Sequence, residues 1–328
     1  MKKRLCLIAL VCGAAGCMDE LPSYNEIDGF RLLAIGADQP WLLPEQTTEL
    51  SALIASNTST AGVTYDWSWC PFTSGSAGGY ECAVTREELQ AIVDEQLMML
   101  DPPPPPVVIP PFELGTTATV GFTYPFDELV VSGFCEALTM IEDIPEFVTI
   151  PSCDNRLPVT IRLEVSDGTE RVVAVKEVQL VFGFGAAVNT NPVATELVAS
   201  LDSNEDGEGD GPELDLATRP ELQRDEDYAL TLDLGEDQSE SFTRENPETM
   251  MDETVREVLT VTWFVRGGEV DRGRTGFIDG EVPIDIAQSN VWSIPKAVDF
   301  EDDTAEIIVV VRDGRGGTSW LRRTVRLQ

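Results

Sequence analysis

Residues 202–213 have the spacing of a calcium-binding loop. The segment DSNEDGEGDGPE matches the pattern D-x-[DN]-x-[DN]-G-x5-E without a mismatch. Ca²⁺ prefers several hard oxygen ligands, and the glycine at the sixth position, Gly207, permits the sharp bend that such a loop needs. The sequence therefore offers one candidate cofactor, Ca²⁺, whose candidate ligands are Asp202, Asn204, Asp206, Glu208, Asp210 and Glu213.

Three features of this loop argue against a true EF-hand. The eighth position is Gly209 rather than a β-branched apolar residue, Pro212 stiffens the end, and no amphipathic helix flanks the loop. The alternative is a solvated acidic loop between two strands. Residues 201–260 contain 20 Asp and Glu against 4 Arg, so a chance match to the pattern is easier here than elsewhere.

The composition excludes several functions. The chain has 328 residues, with 22 Lys and Arg against 58 Asp and Glu, and a formal charge of −36. Such a surface does not suit a nucleic-acid backbone. The absence of histidine excludes a Ser-His-Asp triad, a Cys-His dyad and a His-ligated zinc. A carboxylate pair could still hydrolyse a glycoside, but no pair stands out, and no S-x-x-K or G-x-S-x-G motif occurs. We therefore expect a protein that is not an enzyme.

The N-terminus has the pattern of a secretory signal peptide. Residues 2–4 are basic, residues 5–11 are apolar, and small residues precede Cys17. The sequence Ala-Ala-Gly-Cys resembles a bacterial lipobox, which implies removal of residues 1–16 and a lipid on Cys17. Met18 stands where an Asp would favour inner-membrane retention, so the resemblance implies the outer membrane. Removal of the signal peptide deletes three positive charges and leaves −39.

Four further cysteines remain after Cys17: Cys70, Cys82, Cys135 and Cys153. An even number in an exported chain favours two disulfides, for which three pairings are possible. We expect the local pairs, Cys70–Cys82 and Cys135–Cys153, because each closes one loop beside a probable strand. A four-thiolate zinc site is the rival interpretation, and the lack of a C-x-x-C pair argues against it.

Alternating apolar and polar residues predict strands in two similar halves. Val63, Tyr65, Trp67 and Trp69 fall on one face of a strand, and Trp263 lies in a matching run, 259–265. Strands also precede Asp167-Gly168 and Asp313-Gly314, which are typical turns of hairpins. The simplest place for the tryptophans is the core, and an exposed sugar-binding platform is the alternative. This repeated pattern therefore predicts that the chain contains two copies of one β-unit.

The first half contains an additional segment of about 83–150. Thr85 and Glu88 form a capping box before a helical pattern over about 85–100, and five prolines follow at 102–106. A weaker helical pattern covers 126–144, around Phe134, Leu138 and Ile141. We expect both helices to pack on the β-structure rather than to gate a ligand.

Five arginines lie near the C-terminus, at positions 312, 315, 322, 323 and 326. The simple interpretation is that they lie on strand faces and pair with acidic residues. The alternative is a basic patch for an anionic partner, such as the neighbouring acidic unit.

The opening RLLAIGADQPWLLPEQTTELSALIA, the closing VVVRDGRGGTSW and the lipobox together resemble those of uncharacterised bacterial outer-membrane lipoproteins with tandem immunoglobulin-like domains. The predicted fold is mainly β, with two tandem Ig-like β-sandwiches, the first carrying a helical, Pro-rich insertion. The predicted segments are a signal peptide (1–16), a lipidated tether (17–28), unit 1 (29–185) and unit 2 (190–328).

The predicted function is a lipid-anchored, non-catalytic structural or protein-binding module of the cell envelope. Its expected partners are the membrane, through the lipid, and a protein, but no nucleic acid. The alternatives are a cell-surface hydrolase that uses carboxylates of the insertion and a calcium-dependent adhesion module.

Overall fold

The protein is mainly β-structure, as the sequence predicts. The computed structural model describes residues 23–98, 106–126, 131, 155–183, 188–246, 249–296 and 303–328. The strands of the first half are β1 (Arg31–Ala37), β2 (Trp41–Leu42), β3 (Thr47–Ala55), β4 (Thr64–Cys70), β5 (Glu113–Gly115), β6 (Thr119–Thr123), β7 (Arg156–Ser166) and β8 (Arg171–Val181).

The strands of the second half are β9 (Leu197–Leu201), β10 (Leu214–Asp215), β11 (Glu221–Leu222), β12 (Glu226–Leu232), β13 (Ser241–Glu245), β14 (Asp252–Arg256), β15 (Leu259–Arg266), β16 (Glu269–Val270), β17 (Arg274–Phe277), β18 (Ser289–Ile294), β19 (Thr304–Arg312) and β20 (Thr318–Leu327). The described helices are α1 (Arg86–Met98) and α2 (Ile284–Gln288), with 3-10 turns at Ser76–Gly78, Leu216–Thr218 and Glu236–Gln238.

The first sandwich consists of two sheets with the orders β1-β3-β6 and β2-β8-β7-β4-β5. In β7 every second residue faces the core, and Ile161, Leu163 and Val165 are fully buried. They share one hydrophobic core with Leu50 and Val120 of the opposite sheet. The alternation along each strand is what allows one face of each sheet to close on the other.

The second sandwich repeats this plan. Its sheets have the orders β10-β9-β12-β18-β16 and β11-β20-β19-β15-β17. The strands β9, β12 and β18 correspond to β1, β3 and β6, and the other sheet matches strand for strand. In both sandwiches one short strand, β2 or β11, pairs in parallel with the last strand of its unit. The predicted architecture of two tandem Ig-like β-sandwiches is therefore confirmed.

Each sandwich has a buried tryptophan at the same place. Trp67 on β4 lies opposite Leu163, and Trp263 on β15 lies opposite Val309. Both side chains are fully buried. The indole N–H of Trp67 donates a hydrogen bond to the Thr117 carbonyl at 2.8 Å, and that of Trp263 donates one to Thr275 Oγ1 at 2.9 Å. The tryptophans are therefore core residues, as expected. A buried indole N–H needs a hydrogen-bond partner, and both tryptophans have one.

The two predicted hairpin turns use the same device. Asp167 Oδ1 accepts hydrogen bonds from the backbone N–H groups of Thr169 and Glu170, both at 2.8 Å. Asp313 Oδ1 likewise accepts from the N–H groups of Arg315 and Gly317, both at 2.8 Å. A glycine with positive φ follows each aspartate. The carboxylate therefore satisfies backbone donors that the turn leaves without a strand partner.

The helix α1 begins as predicted. Thr85 Oγ1 accepts a hydrogen bond from Glu88 N at 3.2 Å, and the Glu88 carboxylate accepts one from Thr85 N at 2.8 Å. Leu89 and Val93 are buried in the first core, whereas Ile92 is 39% exposed. The helix therefore packs on the sandwich through Leu89 and Val93, as expected, while Ile92 is partly exposed to solvent.

The segment predicted as an insertion also contains sandwich strands. Both β5 and β6 lie within 83–150, and they pair with β4 and β3. The helix α1 thus belongs to a long connection between β4 and β5. The second predicted helix, 126–144, and the prolines 102–105 lie outside the residues that the structure describes, apart from 126 and 131.

A third hydrophobic core joins the two sandwiches. It contains Leu33 and Leu53 from the first sandwich and Phe264, Ile308 and Val310 from the second. These residues lie on the outer faces of two sheets, so the sandwiches pack face to face. The apolar side chains at this contact are buried like those of an ordinary core, and their removal from water stabilises the association of the two sandwiches.

Polar side chains close the borders of this shared core. Arg312 Nη2 donates to the Leu33 carbonyl at 3.0 Å, and Arg322 Nη1 donates to the Ile54 carbonyl at 3.1 Å. Asn191 Nδ2 donates to the Ala37 carbonyl at 2.8 Å. These bonds satisfy carbonyl groups of the first sandwich at the contact.

The segment before β1 crosses to the second sandwich. Ile27 N donates to the Val265 carbonyl at 2.7 Å, and Val265 N donates to the Asn25 carbonyl at 2.9 Å. Ile27 is 2% exposed and belongs to the shared core. Residues 23–28, predicted as the end of a polar tether, are therefore docked on β15.

Candidate functional site

A cluster of buried charged groups lies at the junction of the two sandwiches. Lys176 of β8 donates hydrogen bonds to the Gly316 carbonyl and to Thr318 Oγ1 at 3.3 Å. Asp313, which is 1% exposed, accepts a hydrogen bond from Asn189 Nδ2 at 2.8 Å. Burial lowers the pKa of Lys176 to about 8, while the nearby Asp313 partly opposes this shift. Burial at the contact between the sandwiches therefore disfavours the charged form of Lys176.

Arg315 connects this cluster to a groove on the surface. Its Nη1 lies 2.7 Å from Glu257 Oε1, and Glu257 is 2% exposed. Burial is the main cause of a raised pKa for Glu257, and Asp313 adds to it. The Arg315 guanidinium lies 4.5 Å from the ring centres of both Trp41 and Phe242. Such stacking on aromatic faces is favourable for a guanidinium.

The groove, called here the junction groove, has a volume of about 360 Å³. One wall belongs to the first sandwich and the other to β13 and β14. Its lining residues are Trp41, Asn155, Arg156, Val181, Val188, Glu240, Ser241, Phe242, Thr243, Thr254 and Arg315. The groove therefore combines aromatic, aliphatic, hydroxyl and cationic groups in one concave surface.

A second concavity, called here the acidic cleft, lies beside the 202–213 loop. Two adjoining cavities of about 450 and 400 Å³ form it. The acidic residues that line it are Glu26, Asp202, Glu205, Asp206, Asp225, Glu226, Asp227, Glu269 and Asp271. Its described lining contains no Lys or Arg, so its potential is strongly negative.

Within the 202–213 loop, three of the carboxylates, those of Asp202, Asp206 and Asp210, accept hydrogen bonds from groups of the loop itself. Asp202, which is 3% exposed, accepts hydrogen bonds from the N–H groups of Asp206 and Gly207 at 3.2 and 2.9 Å. Asp210 accepts from Ser203 Oγ at 2.7 Å. Glu208 and Glu213 are exposed. Among the described residues no three Asp, Glu or Cys side chains are grouped to hold a metal ion. Calcium binding by this loop stays a prediction.

The cysteine predictions are resolved for one pair. Cys70 and Cys82 form a disulfide with their Cα atoms 5.5 Å apart, as predicted. It closes the exposed loop that leads from β4 towards α1. Cys135 and Cys153 lie outside the described residues, as do Cys17 and the signal-peptide segment. No helix in the described part of the chain has the length and apolar character needed to cross a bilayer.

The C-terminal arginines have mainly structural partners. Arg322 pairs with Glu306 at 2.7 Å, and Arg326 lies 3.7 Å from Glu221. Arg312, Arg315 and Arg322 all contribute to the contact between the sandwiches. Pairing with acidic residues is therefore confirmed for Arg315, Arg322 and Arg326. Arg312 instead donates to the Leu33 carbonyl of the first sandwich, and Arg323 donates to the Arg322 carbonyl.

The junction groove could not be predicted from the sequence. Trp41 and Arg156 carry no motif, and they meet Arg315 only because the two sandwiches pack together. The guanidinium of Arg156 lies 4.9 Å from the centre of the Trp41 ring. The one available signal was an isolated tryptophan between Pro40 and Pro44, which is unusual for a solvated turn.

Comparison with known proteins adds no family. No known family model and no curated protein matches the chain. Among solved structures, it is similar to a Salmonella alpha-2-macroglobulin that reacted with methylamine (10% identity, 91% of this chain and 17% of that chain, TM-score 0.21). It is also similar to the C-terminal domain of the Streptococcus pyogenes antigen I/II-family protein AspA (8% identity, 90% and 100%, TM-score 0.21). The chain thus spans about a sixth of the macroglobulin. With such TM-scores, neither similarity supports a shared function.

Proposed function

We propose that this protein is a lipid-anchored, non-catalytic module of the bacterial cell envelope that binds a partner protein on a rigid body. The observation that supports this most is the shared core between the sandwiches. Two Ig-like units joined only by a linker would move independently. Here Leu33, Leu53, Phe264, Ile308 and Val310 bury a common apolar surface, and the surfaces at the junction are therefore held in fixed positions.

The anchor part of the proposal comes from the N-terminal sequence. A cysteine after a short apolar segment and small residues is typical of a lipidated protein, and several acyl chains on Cys17 would hold the protein stably at a membrane. The docked segment 23–28 supports this arrangement, because it leaves only residues 18–22 between the anchor and the folded body. A fully extended chain spans at most about 3.5 Å per residue, so this short segment would keep the folded body close to the bilayer.

The hydrolase alternative finds less support. The helix of the insertion carries the carboxylates of Glu87, Glu88, Asp94 and Glu95. All four are exposed, and Glu88 is already bonded to the Thr85 cap. A general acid is usually a carboxyl group whose pKa is raised by burial, whereas bonds from Thr85 lower the pKa of Glu88. The binding function is therefore the better proposal.

The anchor is tested by Cys17→Ser, with Cys12→Ser as the matched control inside the apolar segment. We expect the Cys17→Ser protein to lose palmitate labelling and to appear either in the soluble fraction or as an uncleaved precursor. The control should be labelled and processed like the parent. A labelled, mature and membrane-bound Cys17→Ser protein would contradict the proposal.

A further inference from the structure

The hairpin of β13 and β14 is a sheet of only two strands. In the described part of the chain β13 pairs with β14 alone, and the hairpin has no counterpart in the first sandwich. A two-stranded hairpin is marginal by itself, and an unpaired strand edge can accept another strand. Its base is held by Arg256, which donates to the carbonyls of Glu236 and Ser239. The hairpin is thus fixed at one end, while one edge of β13 has no strand beside it in the part of the chain that the structure describes.

The junction groove follows this strand. Four consecutive residues, 240–243, line the groove. Because successive side chains of a strand point to opposite faces, a cavity lined by consecutive residues reaches the edge of the strand. The lining by Thr254 of β14, opposite Thr243, extends the cavity over one face of the hairpin as well. The opposite wall is formed by Trp41, Arg156 and Val181 of the first sandwich. The groove therefore lies between the β13–β14 hairpin and the first sandwich.

One cation of the groove is left to attract an anion. Arg315 pairs with Glu257 at 2.7 Å and lies 3.8 Å from Glu240, a carboxylate that also lines the groove. Arg156 is exposed and lies over the Trp41 ring, and no ion pair to it is found within the described residues. Val188, on the same surface, is 43% exposed and offers an apolar contact. The groove therefore presents a strand edge, an aliphatic side chain and a guanidinium that has no acidic partner among the described residues.

We propose that the junction groove binds an extended peptide segment of a partner protein, which adds a third strand beside β13. A carboxylate of the peptide pairs with Arg156, and a neighbouring β-branched or apolar side chain packs on Val188 and Phe242. Main-chain hydrogen bonds supply affinity in this mode of recognition, and the side-chain contacts supply specificity. This inference rests on the proposed binding function and names the site and the chemical class of the partner.

The first test uses a library of phage-displayed random heptapeptides, selected on the full chain in detergent micelles. We expect selected peptides to contain Asp or Glu next to Val, Ile or Thr. Synthetic copies should bind Arg156→Gln about tenfold more weakly than the parent, because a charge-assisted hydrogen bond is lost. Arg171→Gln is the matched control, since Arg171 is also exposed and lies at the opposite end of the β7–β8 hairpin. Its affinity should equal that of the parent.

The second test asks whether the peptide pairs as a strand. Two N-methylated copies of one selected peptide carry methyl groups at odd or at even positions. Because alternate N–H groups of a strand face the same neighbour, one copy should lose at least tenfold in affinity and the other should keep it. Backbone amides of β13 should also exchange more slowly when the unmodified peptide is bound.

Three results would overturn the inference. They are a library that yields no binder, binders with equal affinity for the parent and Arg156→Gln, and two N-methylated copies that bind as well as the unmodified peptide. None of these results depends on membrane anchoring. A chain that is correctly lipidated at Cys17 but fails the peptide tests would retain the proposed anchoring and lose only the groove.

Discussion

The two sandwiches share a strand order and differ in what lies between the strands. Both contain a buried tryptophan at the same register, and both end in an Asp-Gly hairpin. The first sandwich adds a disulfide-closed loop and α1 between β4 and β5. The second adds the acidic loop between β9 and β10 and the hairpin β13–β14. The strands common to both sandwiches form the hydrophobic cores on which folding depends. The loops and the hairpin that differ contribute to the candidate functional surfaces.

The two sandwiches would be shown to differ most clearly if their equivalent tryptophans contributed unequally to the free energy of unfolding. We expect Trp67→Ala and Trp263→Ala each to lower the free energy of unfolding by about 3–5 kcal/mol, because both remove a fully buried indole. Urea unfolding of the two variants measures this. Trp320→Ala, at a half-buried position, is the control and should cost less. A large loss for only one of the two would mean that the equivalent positions have unequal roles.

The shared core should make the two sandwiches unfold together. Ile308→Ala should lower the free energy of unfolding by about 2–5 kcal/mol and separate one calorimetric transition into two. Ile307→Ala is the matched control, because Ile307 is equally buried on the same strand but faces the core of the second sandwich. It should destabilise the protein without separating the transitions. Two transitions in the parent would show that the sandwiches are already independent.

The Cys70–Cys82 disulfide lies in the first sandwich, and its loss should reach the second sandwich only through the shared core. Its loop spans 12 residues in sequence separation, so replacing both cysteines by Ser should cost about 3 kcal/mol. Hydrogen exchange should detect the loss in β4 and, because the sandwiches are expected to unfold together, also in those β15 amides that exchange by global unfolding. Non-reducing peptide mapping should also find the predicted Cys135–Cys153 pair. A Cys82–Cys135 peptide would contradict both pairings.

The acidic loop should distinguish the second sandwich in its response to calcium. If Asp202 and Glu213 are ligands as predicted, Ca²⁺ at about 100 times its Kd should add about 2.7 kcal/mol of stability. The melting temperature is measured in millimolar CaCl₂ and in NaCl of equal ionic strength. The rise specific to calcium should vanish in Asp202→Ala with Glu213→Ala. An equal rise in parent and variant would reduce the loop to a solvated acidic turn.

The smallest expected effect concerns the buried lysine at the junction. The pKa of Lys176 is about 8 in the folded protein and 10.5 in a model peptide, so the unfolded chain binds more protons between these values. Stability should therefore rise with pH in this window, by roughly 1 kcal/mol between pH 8 and pH 9. Well below pH 8 the Lys176 contribution should be flat, because the folded and the unfolded chain then bind the same proton. Lys176→Met should remove this rise, and an unchanged pH profile in the variant would contradict the assignment.

The sequence predicts local features well and contacts between distant segments poorly. The alternation around Trp67 and the Thr85–Glu88 box follow from neighbouring residues, and the structure confirms both. The Cys70–Cys82 pair was also local. By contrast, the bond from Arg312 to the Leu33 carbonyl joins residues 279 apart in the sequence. No periodicity encodes such a contact, and the junction groove exists only because of contacts of this kind.

The docking of residues 23–28 on β15 also determines how the protein would respond to force. A pull on the chain before Ser23 does not reach the first sandwich directly. It is carried first by the two hydrogen bonds at Val265 and by Ile27, and through them by the second sandwich. The load path therefore enters the structure at the shared core, where the strands of both sandwiches meet.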